Sequence, residues 1–182
     1  MLFSRATSVE FQLKLLEKSD AGPLFETINT NRAYIRQWLP WVDSTHNLQD
    51  SKAFVDDCLT KYTRGESVVN GIWCDGQMVG CIGINDITRF HQKASLGYWL
   101  AKNYQEKGII TRACRQLIDY SFNDLRLNRM EILCAVKNYK SRAVAQRLRF
   151  AQEGVLRDYF RLHNNYVDVV IYSMLRSDWK RL

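Results

Sequence analysis

Apolar and polar positions alternate from Val9 to Leu16, with Val9, Phe11, Leu13 and Leu15 on one side and Glu10, Gln12 and Lys14 on the other. A period of two predicts a half-buried strand. Leu24, Phe25 and Ile28 then begin a helical stripe that Ser19 or Asp20 can cap, with Pro23 in its first turns. Tyr34, Ile35, Trp38 and Leu39 predict a second, short helix ended by Pro40. A third helix is expected over Asn47–Arg64, with Phe54, Val55, Cys58, Leu59 and Tyr62 on one face and Gly65 closing it. Val68–Cys74 and Met78–Ile87 read as strands joined by Asp75-Gly76, a two-residue hairpin signal. Gly80 and Gly83 leave room for close neighbours in the second of them.

After a polar turn at Arg89–Lys93, Ala94–Ala101 supplies β-formers at Leu96, Tyr98, Trp99 and Leu100, which predicts an antiparallel three-strand meander. A polar loop follows, and then Ile110, Cys114, Leu117, Ile118, Ser121, Phe122 and Leu125 recur with the helical period. Arg129–Val136 is an apolar strand, and Lys137–Ser141 turns into a short helix ending near Phe150. Ala151–Tyr159 and Tyr166–Leu175 close the chain as two strands around a turn at His163-Asn164-Asn165. No repeat, linker or composition shift interrupts residues 1–182, so one α+β domain with a mixed sheet is expected.

Composition narrows the class. A chain of 182 residues can bury a sufficient core without disulfides or metal. Its five cysteines (Cys58, Cys74, Cys81, Cys114, Cys134) are scattered through apolar stretches, without a C-x-x-C pair and apart from His46, His91 and His163. That pattern predicts reduced core thiols in a cytoplasmic protein and no metal site. There is no run of 18 apolar residues, and Met1–Arg5 lacks the pattern of a signal peptide, so no membrane contact is expected. The net charge of +7 suits a phosphorylated cofactor, a nucleic acid or an acidic protein. Solubility explains an excess of that size equally well.

The candidate chemistry lies where the third meander strand passes into the long helix. Gln105-Glu106-Lys107-Gly108-Ile109-Ile110-Thr111 puts a glycine at a helix start, where unpaired N–H groups and the positive end of the dipole attract an anion. Lys107, Arg112 and Arg115 add charge nearby. An ordinary turn glycine before a core helix has the same pattern.

Gly97-Tyr98-Trp99-Leu100 followed by Gln105-x-x-Gly108-Ile109-Ile110-Thr111 resembles motif A of the GNAT acetyltransferases, in the wording of the RimJ/RimL ribosomal-protein N-acetyltransferase branch. Asn138-x-x-Ser141, Arg149-Phe150 and Glu153-Gly154 resemble a second block of that family, and Asp168 and Tyr172 match its last strand. The resemblance implies a three-layer α/β/α fold whose mixed, mostly antiparallel sheet has splayed central strands. It implies acetyl-CoA as cosubstrate, held by Gln105, Glu106, Lys107, Gly108, Ile109, Ile110 and Thr111 at the pyrophosphate, by backbone N–H groups at Trp99, Leu100 and Ala101, and by Asn138 at pantetheine. Ser141 is then the group beside the leaving thiolate, although its hydroxyl could equally cap its helix. Trp38 and Trp41, in Trp-Leu-Pro-Trp, would wall the acceptor side with Arg32 and Arg36 facing acceptor or solvent, and Tyr172 could touch substrate. A hydrophobic plug over the sheet would give the same aromatic run.

Departures from the family pattern are Ile110 and Arg149 for small residues, Ala145 for a general-acid tyrosine, and Ser95 for a general-base glutamate. Asp86, Glu153 and Asp158 remain as candidate bases. The implied acceptor is the N-terminal α-amine of a ribosomal or other protein. The alternatives are a polyamine or aminoglycoside, or a non-catalytic module binding acyl-CoA or nucleic acid. A homo-oligomer, a dimer or larger, is also expected from the family.

Overall fold

The computed structural model describes residues 9–181, so Met1–Arg5, read above for a targeting signal, lies outside the described residues. The chain runs β1 (Gln12–Leu15), α1 (Ala21–Ile35), α2 (Leu48–Thr63), β2 (Val68–Cys74), β3 (Gln77–Thr88), β4 (Lys93–Leu100), α3 (Ile109–Asn123), β5 (Arg129–Ala135), α4 (Tyr139–Arg147), β6 (Ala151–Leu162), β7 (Asn165–Leu175) and α5 (Arg176–Trp179). The strands form one sheet in the order β1-β2-β3-β4-β5-β7-β6. Every neighbouring pair is antiparallel except β4–β5. This is the expected mixed, mostly antiparallel sheet with helices on both faces. Ile82, Ile84, Leu96 and Leu100 pack against Ile118 and Phe122 of α3, whereas Cys81 packs with Leu24, Ile28, Val55 and Cys58 of α1 and α2.

Several local expectations hold for the physical reasons given. Asp75 and Gly76 both have positive φ (49° and 76°), as a tight hairpin turn requires. The helix expected over Asn47–Arg64 is α2, and Asn47 accepts from the backbone of Gln49 and Asp50 as its cap. At Gly80 a Cβ would lie 2.3 Å from the Trp99 carbonyl oxygen, so β3 and β4 pair this closely only around a glycine.

Other elements differ. α1 is continuous to Ile35, and no second helix is centred on Trp38. Pro40 instead starts a 3-10 turn, Pro40–Ser44, because its fixed φ suits a first helical position as well as it ends a preceding helix. Asp20 sits at the N-cap of α1, but its side chain turns back to accept from the Glu17 N–H. In α3 the first fully buried residue is Ile109, 1% exposed, while Ile110 is half-buried. β1 is shorter than the Val9–Leu16 alternation, and β6 extends past Tyr159 to Leu162. α5 is too short to leave a periodic trace. It is pinned by Trp179 Nε1 donating to Asp119 of α3 at 2.6 Å. Among the described residues all five cysteines are free and buried, and no helix is long and apolar enough to cross a membrane.

The feature that creates the site is the short β4–β5 contact. Only Lys93–Arg129, Ala94–Met130 and Ser95–Glu131 pair, after which the two strands part. Arg129 braces the root of this splay. It donates to Glu131 at 2.7 Å and, as a fork, to both oxygens of Glu153 on β6, at 2.7 and 2.5 Å. Ser173 donates to the same carboxylate at 2.7 Å. The guanidinium holds the Glu153 carboxyl down at about 2, well below the ordinary carboxylate range. A depressed folded-state pKa stabilises the fold above the unfolded pKa, about 4.3, and that contribution is lost as pH falls toward 2. Glu153 is 41% exposed, so solvent screens the pair. Glu153→Gln should therefore melt a few degrees below wild type at pH 7, with the difference vanishing near pH 2 in a thermal scan. A pH-independent difference would contradict this account of the clamp.

Candidate active site

Between the diverging strands lies a cavity of about 960 Å³, lined by Tyr98 and Leu100 of β4, Cys134 of β5, the start of α3 and the start of α4. In antiparallel β3–β4 pairing, alternate N–H groups of β4 point to β3. Ala101 N–H donates to the Val79 carbonyl at 2.7 Å, and the register places Trp99 opposite Cys81 in the same phase. The N–H groups of Trp99 and Ala101 are therefore taken up by β3, contrary to the expectation for those two. Those of Leu100 and Tyr98 face the cavity. They form a ready edge for an extended, amide-bearing ligand.

At one end of the cavity is the α3 N-terminus. Gly108 is the N-cap residue with φ 71° and ψ 5°, a left-handed conformation that an L side chain adopts only at a cost. A Cβ built on it meets nothing within 4 Å, so the space in front of these N–H groups is open to a ligand. The expected charges are distributed differently. Arg112 turns away, stacking on Phe11 at 4.8 Å and donating to the Val9 carbonyl. Arg115 lies over Trp179. Lys107 stays near the loop over the Tyr104 ring. Positive charge comes instead from α4: Lys140 reaches Gln105 at 2.8 Å and Glu106 at 3.5 Å, and Arg147 donates to Thr111 at 3.3 Å. Lys140 and Arg147 escaped the sequence reading because they lie 35 and 36 residues beyond Gln105 and Thr111, the loop residues they bond.

At the inner end, the Asn138 side chain accepts from the Ser141 N–H at 3.2 Å and caps α4. Asn138, not the Ser141 hydroxyl, is the helix cap, so that hydroxyl is not needed for capping. It lies 3.1 Å from the Tyr98 hydroxyl, which also donates to the Ser141 carbonyl at 3.3 Å. Burial raises the Tyr98 phenol far above its ordinary value, so it stays a neutral donor. Burial also raises the Cys134 thiol, which a hydrogen bond from Ser141 partly offsets. Tyr98 was legible only as a β-former; alternation along β4 puts it on the α3 face with Leu96 and Leu100. Tyr172 lines neither cavity. It is 1% exposed, accepts from Arg142 and donates to Gln152, a bracing role inside the sheet.

A second cavity of about 930 Å³ lies on the α1/α2 face. It shares Leu39, Asn85, Asp86, Gly97, Tyr98 and Trp99 with the first, so the two meet across β4. Trp38 lines the first and Trp41 the second. Trp41 tilts against Trp99 with ring centroids 6.3 Å apart. Phe54 of α2, 45% exposed, adds a further aromatic wall; the helix pattern had placed it on one face with Val55 and Cys58, which are buried. Arg32 and Arg36 do not face this cavity. Arg32 donates to the carbonyls of Val42 and Thr45, and Arg36 pairs with Asp43 at 2.6 Å. Of the candidate bases, Glu153 is held by Arg129, Asp158 lines neither cavity, and Asp86 lines both. With Trp41 half-exposed on the cavity wall, Trp41→Ala should raise the acceptor KM about tenfold and leave acetyl-CoA affinity unchanged. Normal kinetics with a lower melting temperature would assign Trp41 to packing instead.

Comparison with known proteins gives a consistent picture. The acetyltransferase (GNAT) domain family matches residues 11–151. Bacillus subtilis YdaF, provisionally named a ribosomal N-acetyltransferase, is 35% identical over 180 residues, covering 98% of each chain. The ribosomal-protein-serine acetyltransferase of Escherichia coli is 29% identical over 168 residues, covering 92% of this chain and 94% of that protein. Among solved structures, RimL, a ribosomal L7/L12 alpha-N-protein acetyltransferase, superposes with a TM-score of 0.89 at 26% identity, over 96% of this chain and 98% of that one. It was solved with coenzyme A joined by a disulfide to one of its cysteines.

Proposed function

As a member of the GNAT acetyltransferase family, to which this chain belongs, the protein is an acetyl-CoA-dependent N-acetyltransferase, and we propose that its acceptor is the N-terminal α-amine of a ribosomal or other protein. The observation that carries this reading is the wall of the second cavity. It is built from Leu39, Trp41, Phe54 and Trp99, and two of its four carboxylates are engaged: Asp57 pairs with Lys61 at 2.7 Å, and Asp50 accepts from the backbone of His46 and Asn47. Glu66 and Asp86 form no ion pair among the described residues. The aromatic walls suit one terminal ammonium followed by a peptide, and the relatives named as ribosomal-protein N-acetyltransferases support the same acceptor.

In this proposal the pyrophosphate rests on Gln105–Thr111, pantetheine runs along Leu100 and Asn138, and the thioester carbonyl accepts from the Tyr98 N–H. The chain's residues suit that ligand: an open helix N-terminus at Gly108 and outward N–H groups on β4. Ser141, backed by Tyr98, stabilises the departing thiolate. Trp38 and Trp41 contact the acceptor. Buried free thiols suit a cytoplasmic setting, and a homo-oligomer is the expected assembly. The test is thiol release from acetyl-CoA with N-terminal peptides, polyamines and aminoglycosides, each product confirmed by mass. Peptides should be preferred, with the label on the α-amine. Turnover of polyamines alone would overturn the acceptor assignment.

A further inference from the structure

We propose that Asp86 is the general base, taking the proton of the acceptor ammonium through bridging water. The inference rests on the transferase reading above but not on which amine is accepted. The attacking nitrogen must sit where the two cavities join, and Asp86 is the only carboxylate among the described residues on the wall they share. A distortion of the sheet puts it there. The β3–β4 register shifts between Asn85 and Thr88, and Asp86 has φ 54°, the left-handed region that non-glycine residues rarely occupy. Such bulges re-aim a side chain. Here the carboxylate reaches across to β4, where the Ser95 hydroxyl donates to Oδ2 at 3.2 Å. Ser95, Gly97 and Trp99 share the α1/α2 face of β4, from which the second cavity approaches. Ser95 stands three residues before Tyr98, roughly 10 Å along the strand, so water carries the proton across.

The step balances. Of the three protons on the ammonium, one passes through water to Asp86 and on to solvent. The freed lone pair forms the C–N bond at the thioester carbon. The C–S bond breaks with its electrons on sulfur, which ends with the second proton by way of the Ser141 side, and the third stays on the amide.

The other charged and titratable groups facing this region are Asp50, Asp57, Cys58 and Lys61 of α2, Glu66 before β2, Cys81 of β3 and Tyr98 of β4. Asp57 and Lys61 pair with each other. Burial pushes the Cys58 thiol up to about 11 and raises Cys81 and Tyr98 further, which removes these three from the neutral range.

Asp86→Asn should lower kcat/KM about 100-fold or more at pH 6.5, with acetyl-CoA affinity unchanged by calorimetry. The deficit should shrink as pH rises through the pKa of a peptide α-amine, about 8, because solvent then supplies the free amine. Adding Ser95→Glu to Asp86→Asn returns a carboxylate to the same place from β4 and should recover at least tenfold. A folded Asp86→Asn variant with wild-type kcat/KM overturns the proposal, and so does a deficit that is equal at all pH values. If Asp86→Asn does not fold, Ser95→Ala must show a smaller deficit of the same pH shape, and a wild-type profile there overturns it. The profiles are recorded with whichever amine of the panel is turned over. Silent peptides beside an active polyamine would sink the acceptor assignment and leave Asp86 under test.

Discussion

Replacing Ser141 with alanine is expected to lower kcat about 10- to 1000-fold while acetyl-CoA affinity and melting temperature stay close to wild type. The size follows from the role. In the proposed role the hydroxyl gains most as charge develops on the leaving sulfur, so its loss is expected in the transition state and little in the ground state. The unchanged stability follows from the geometry. Asn138 caps α4, so removing the Ser141 hydroxyl leaves the cap intact. Tyr98 keeps the Ser141 carbonyl as a partner at 3.3 Å, so its buried hydroxyl is not orphaned. Single-turnover kinetics beside a thermal melt checks both halves. An unchanged rate with chemistry limiting would remove Ser141 from the mechanism.

Replacing Gly108 with valine should weaken acetyl-CoA binding by about 2 kcal/mol or more, roughly 30-fold in Kd. Two effects add. A β-branched residue is strained at φ 71°, and its side chain fills the open space in front of the α3 N–H groups. Gly108→Asn separates them, since asparagine tolerates the left-handed region better but still occupies that space. Both variants should bind acetyl-CoA weakly in calorimetry, and only valine should lower the melting temperature. Wild-type affinity in a folded Gly108→Asn would remove the pyrophosphate from this loop.

The parts of the fold carried by local signals were legible from the amino-acid order: the Asp75-Gly76 hairpin, the α3 stripe and the succession of strands. What was not legible depended on which partner a group chose in space. Arg112 and Arg115 look like phosphate ligands because they follow Gly108, yet Phe11 and Trp179 take them, from residues that adjoin α3 only after folding. Trp99 and Ala101 lie in the right motif, but antiparallel pairing turns their N–H groups to β3 and leaves Tyr98 and Leu100 for the cavity. Tyr172 matches a family position, yet it ends in the sheet interior. Ser95 stands where the family resemblance implies a glutamate, and a carboxylate arrives there from the neighbouring strand through a bulge that no periodicity reveals.

The placement of acetyl-CoA between β4 and β5 is tested most directly by residue-resolved amide hydrogen exchange with and without the cosubstrate. Its binding should slow exchange at Tyr98 and Leu100 and at Ile109 and Ile110, while Trp99 and Ala101, already bonded to β3, change little. Protection confined to the second cavity, or none at Tyr98 and Leu100 under saturating acetyl-CoA, would contradict the account.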